Sequence, residues 1–138
     1  MAYATKQDMI DRFGERELQR LTDRAATGSI VDDVLDRALA DADAAIDAYI
    51  GARYALPLAS VPPVLVGTAC DIARYRLQEN NPSEVATDRH AQAMRFLMAL
   101  SRGDAKLDVG GAEPPASAGS IGIESATRVF SRDRLRDF

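Results

Sequence analysis

Residues 31–54 read VDDVLDRALADADAAIDAYIGARY. Val31, Leu35, Leu39, Ala42, Ile46, Tyr49 and Arg53 recur at steps of three and four. That spacing matches the turn of an α-helix, so six apolar side chains form one stripe with Arg53 at its end. The stretch predicts an amphipathic helix from about Val31 to Tyr54. Asp32, Asp33 and Asp36 occupy its first turns, where negative charge meets the positive end of the helix dipole. Asp41, Asp43 and Asp47 lie off the stripe. The helix must end before Pro57, because a residue preceding proline avoids helical backbone angles.

Working outward, LPLASVPP (56–63) reads as a rigid link. Pro62 and Pro63 suit the first turn of the next helix, where a missing N–H costs nothing. That helix is predicted over about Pro63–Glu79, with Leu65, Ala69, Ile72 and Arg76 on one face and Val66, Ala73 and Leu77 widening it. Asn80-Asn81-Pro82 ends it. Ser83 caps a further helix over Glu84–Arg102. Ala93, Phe96, Leu97 and Leu100 form its inner face, extended by Met94 and Met98, and Gly103 stands where a C-terminal glycine cap belongs.

Upstream, Thr5 and Asp8 form a capping box with Asp in place of the usual Glu. The short helix they start turns Met9, Ile10 and Phe13 inward. Gly14 interrupts it, and Glu15–Leu21 reads as a second short helix with Leu18 and Leu21 inward. Thr22-Asp23 and Thr27-Gly28-Ser29 mark a loop. After Gly103 the character changes: GGAEPPASAGS (110–120) has no helical period and reads as a linker. SATRVFSRDRLRDF (125–138) regains apolar content. The expected organisation is a helical bundle over 1–103, a flexible linker over 104–124 and a C-terminal interaction arm over 125–138. The fold class is all-α, a compact bundle of four to five helices.

The chain has 138 residues, 46% hydrophobic and 28% charged, within the range of one folded domain. The net charge of −4 argues against broad phosphate contact. Cys70 is the single cysteine, so no intrachain disulfide forms and an intracellular setting is expected. No run approaches the roughly 20 apolar residues of a membrane span, and the opening MAYATKQDMIDRF has no signal-peptide core. Synthesis in the cytoplasm is therefore expected.

Catalytic chemistry is not legible. His90, the only histidine, has no metal-binding pattern around it. Cys70 sits in an apolar helical run and reads as core. Asp36, Asp43 and Asp47 share a helical side and form a candidate acidic face, read as solvating rather than metal-binding. No phosphate loop is present. Arg128, Arg132, Arg134 and Arg136 are interleaved with Asp133 and Asp137, which dilutes their pull on nucleic acid. No enzyme activity, cofactor or metal is expected.

MAYATKQDMIDRFGERELQRLTDR opens the chain, DRALADADAAIDAYIGARYALPLASVPPVLVGTACDIARYRL follows, and VFSRDRLRDF closes it. In this order the three stretches resemble the small Mu-like phage protein family placed near the head–tail junction. The resemblance implies a head–tail connector (adaptor) type of bundle, found in the virion. It implies assembly of the chain with itself as a ring, commonly twelve-fold, between portal and tail proteins. It carries over no catalytic residues and implies no small-molecule substrate, no membrane and no specific nucleic acid. Within that frame Val129, Phe130, Leu135 and Phe138, with Arg132 and Arg134, are the candidate subunit-contact arm, because apolar groups on a tether gain most from a groove on a neighbour. The acidic face has a second reading, as a DNA-repelling lumen of the ring. The alternative function is a small helical DNA-binding regulator of a prophage.

Overall fold

The computed structural model describes residues 1–108. Five helices follow in order: α1 (Lys6–Phe13), α2 (Glu15–Thr22), α3 (Asp32–Ile50), α4 (Pro63–Leu77) and α5 (Glu84–Arg102). There is no strand among the described residues, and no helix there is long and apolar enough to cross a membrane. The all-α expectation holds.

The local signals act as their chemistry requires. The Thr5 hydroxyl accepts the Asp8 N–H at 3.2 Å, and the Asp8 carboxylate accepts the Thr5 N–H at 2.8 Å, completing the capping box. Ser83 caps α5 through the Ala86 N–H, and Pro63 opens α4. Gly103 closes α5 at φ +85°, with its own N–H on Leu100 O and the Asp104 N–H on Ala99 O. That pair of bonds is a Schellman closure, which needs a left-handed residue at this position. Between α2 and α3, the Asp23 carboxylate accepts the Thr27 and Gly28 N–H groups and holds the loop closed.

The last three helices form the body. α3 packs mainly on α4, α4 on α5, and α1 and α2 lean against them. Leu35, Leu39, Ala42 and Ile46 of the predicted stripe are all buried, joined by Ala38 and Ile50. Leu65, Ala69, Ile72 and Ala73 of α4 and Ala93, Leu97 and Leu100 of α5 meet them. Each fully buried Leu or Ile in this core contributes about 1.5–3 kcal/mol over leaving it in water. The chain reverses between α3 and α4 and again before α5. The C-terminal end of α3, the start of α4 and the end of α5 therefore share one end of the body.

Four details differ from the sequence expectation. α3 stops at Ile50 rather than Tyr54, because the chain turns there: the Arg53 and Tyr54 N–H groups both return to Ile50 O. The turn tucks Tyr54 into the body, where its hydroxyl accepts the Leu107 N–H at 2.9 Å. Leu107 is buried in turn, so the packed body reaches past Gly103 into residues assigned to the linker. Arg76, expected on the inner face of α4, is exposed, as is Met98, expected on that of α5. Arg76 ends its stripe beside the open groove between α3 and α4, and Met98 borders its own, so both side chains stay open to water. The remaining linker and the arm lie outside the described residues.

Candidate interaction surfaces

Three surfaces stand out, beginning with an open groove between α3, α4 and the start of α5. Its volume is about 560 Å³. Val34, Ala38 and Leu77 give it an apolar floor, and Arg24, Arg37 and Arg76 put three guanidinium groups on its walls, with Asp41 and Glu79 among them. Arg76 reaches the Asp41 carboxylate at only 3.8 Å, across a pair half open to water. Such a pair adds little stability and leaves the cation available. His90 stacks on Tyr75 at this site, ring centroids 4.0 Å apart and 15° from parallel. Burial, then the nearby Arg76 charge, lowers the His90 pKa, so its neutral form is favoured.

The second surface is the outer side of α3. The three acidic residues read together from the sequence do not behave alike. Asp36 is exposed. Asp43 accepts the Tyr3 N–H at 3.0 Å, and Asp47 accepts the Tyr3 hydroxyl and lies 3.5 Å from the Met1 amino group. Asp43 and Asp47 thus hold the opening residues as a strap, which buries Tyr3 and Ala4 against the core. Burial raises the Asp43 pKa, opposed by the Tyr3 N–H bond. The hydrophobic period of α3 gives no hint of this strap, because its side chains lie off the core stripe. A tyrosine between two alanines just before a capping box was the only available signal.

At the end where α3, α4 and α5 come together, Arg53 reaches across from α3. Its Nε donates to Ser101 O at 3.2 Å and its Nη2 to Arg102 O at 3.3 Å. Leu56, Val64 and Met98 are exposed at this end, and Met1 is also exposed, with its sulfur accepting the Leu58 N–H. Most of the large exposed apolar side chains of the described residues lie here, with Val85 the exception.

Two further groups are drawn into packing. Cys70 is fully buried, and burial pushes its thiol up to about 12, which disfavours a thiolate nucleophile. Arg74 pairs with Glu17 at 2.8 Å and lies over the Phe13 ring, joining α4 to the first two helices. Among the described residues no cluster of His, Cys, Asp or Glu could hold a metal ion. Val129, Phe130, Arg132, Arg134, Leu135 and Phe138 lie outside the described residues.

The model of the family described as "Bacteriophage Mu, Gp36" matches residues 3–124, which takes in all five helices. The chain belongs to this family. Gene product J of Escherichia phage Mu is 36% identical over 137 residues, covering 96% of this chain and 96% of its own length. The Mu-like prophage FluMu protein gp36 of Haemophilus influenzae is 32% identical over 137 residues, covering 99% of this chain and 97% of its own. Both alignments take in nearly the whole of each partner, so these Gp36-family relatives share the length of the chain and not merely a segment. The Mu-like resemblance read from the opening, the Pro-rich joint and the DIARYRL helix is therefore correct. The matched range also runs through the spacer 110–120.

Proposed function

We propose that this Gp36-family chain is a structural virion protein of the head–tail junction, acting as a connector between portal and tail. Copies assemble as a ring, and the chain performs no catalysis. The observation that carries the reading is end-to-end similarity to a protein of phage Mu and one of a Mu-like prophage. Two features add support. His90 and Cys70 are engaged in stacking and core packing. Of the large exposed apolar side chains of the described residues, Met1, Leu56, Val64 and Met98 belong to segments at one end of the body. Residues 125–138 act as the arm: Val129, Phe130, Leu135 and Phe138 anchor on an adjacent subunit or on the portal, with Arg132 and Arg134 beside them.

The test is a phage or prophage lacking this gene, complemented with tagged protein. Full heads and free tails should accumulate without it, and the tagged chain should co-purify with particles at a constant ratio to portal. A chain lacking residues 125–138 should fail to complement. Absence of the protein from purified particles overturns the connector reading. Infectious particles made with the truncated chain overturn the arm alone.

A small DNA-binding regulator is the second reading, favoured by Arg24, Arg37 and Arg76 around the groove. Asp41 and Glu79 line the same groove, and the net charge of −4 opposes duplex DNA. A salt-sensitive gel shift with duplex DNA would favour the regulator; the connector predicts none.

A further inference from the structure

We propose that the exposed apolar end bearing Leu56, Val64 and Met98 is the seat for residues 125–138 of a neighbouring copy in the ring. The inference rests on the connector reading and names the surface that receives the arm.

The first support is where the described chain leaves the body. Gly103 lies beside Arg53, and Leu107 is pinned by the Tyr54 hydroxyl, so residue 108 departs from the end that carries the apolar side chains. Val64 is 48% exposed, Met98 40% and Leu56 37%. In an antiparallel helical body, the start of α4 and the last turns of α5 lie at that same end.

Symmetry then sets a distance. In a closed ring every copy is related by rotation about one axis, so equivalent ends face the same side. Donor exit and receiving seat are both at this end, so the connecting chain has to cross about one subunit width. A body of this length has a radius of gyration of about 13 Å, hence a width of about 34 Å. The chain between Asp108 and Val129 spans at most about 75 Å at roughly 3.3–3.6 Å per residue. The reach is about twice what the crossing requires.

Chemistry supplies the third support. Val129, Phe130, Leu135 and Phe138 match an apolar seat. Arg128, Arg132, Arg134 and Arg136 outnumber Asp133 and Asp137, whereas the whole chain carries −4. The arm is therefore positive while the chain as a whole is negative, and opposite net charges favour encounter.

The test uses full-length chains. One preparation carries Met98→Cys and the other Leu135→Cys, each with a different tag. Cys70 is fully buried and stays silent. After mixing and mild oxidation, a crosslinked species bearing both tags should form. Adding Val64→Asp to the Met98→Cys chain should cut its yield about tenfold, the ratio for a loss of about 1.4 kcal/mol. Val64 is exposed, so this change leaves the core intact. Absence of any species bearing both tags overturns the seat. Unchanged yield with Val64→Asp overturns it too. If rings form on portal without the crosslink, the seat fails and the connector reading stands. If particles lack the protein altogether, the connector reading fails and the seat with it.

Discussion

Gly103→Ala probes the joint that closes the α-helical body. A Cβ at this position would sit 2.3 Å from Arg53 Nη2 and 2.6 Å from its Cζ. The backbone angle of +85° adds a cost of its own, about 1–2 kcal/mol for a residue with a Cβ in the left-handed region. The guanidinium stands on a long stem and can swing aside, so the overlap itself is relieved cheaply. Swinging aside forfeits the Arg53 bonds to Ser101 O and Arg102 O. Both are long and partly solvated, so together they are worth about 1 kcal/mol. The substitution should therefore cost about 2–3 kcal/mol and lower Tm by about 8–12 °C, taking about 4 °C per kcal/mol for a chain of this size. Arg53→Ala alone should cost only the bonds, about 1 kcal/mol. In the Arg53→Ala background, Gly103→Ala should cost only the backbone strain, so the double variant falls short of additivity by about 1 kcal/mol. Urea unfolding followed by circular dichroism measures all four proteins. A Gly103→Ala cost below about 0.5 kcal/mol, or strict additivity, refutes the reasoning.

Other expectations follow from single contacts. Arg74→Met should destabilise by about 2 kcal/mol, below the range for a fully buried pair because both side chains keep some water, and Glu17→Gln in that background should recover part of the loss; urea midpoints read both. Thr22→Val should cost about 1–2 kcal/mol, because the buried hydroxyl accepts the Val31 N–H where α2 hands over to α3; thermal unfolding checks it. Tyr3→Phe should cost about 1 kcal/mol and speed proteolysis of the opening residues, since it removes the hydroxyl given to Asp47. His90 has a lowered pKa in the folded state, so its contribution is present above its unfolded value and is lost as pH falls through the folded one. The wild type should thus lose more stability than His90→Gln on going from about pH 7.5 to about pH 5.5, where the unfolded imidazole titrates. Equal losses in the two proteins would show that His90 plays no part.

Much of the fold was legible because its signals are local. The stripe through Leu35, Leu39, Ala42 and Ile46 reports helix and core face at once, and all four are buried. Thr5, Ser83 and Gly103 bound their helices through bonds within a few residues, and Pro63 opens α4 through its fixed backbone angle. The candidate surfaces were less legible. Asp36, Asp43 and Asp47 have the same type and phase, yet two of them hold Tyr3, some 40 residues earlier in the chain. The groove draws Arg24 from the α2–α3 loop, Arg37 from α3 and Arg76 from α4, with no shared motif.

Periodicity and capping chemistry in the chain alone determined that it is helical, where the helices begin, and which stripe of each turns inward. A helix closes its hydrogen bonds within itself, so its phase and its ends can be read without any partner. The tertiary packing decided what happens at the borders of those stripes. Arg76 is open because it faces the groove between α3 and α4, and Met98 is exposed at the edge of α5, whereas Tyr54 and Leu107 are covered because the chain turns early after Ile50. Burial is a property of what stands opposite a side chain, and the residues standing opposite come from distant parts of the sequence.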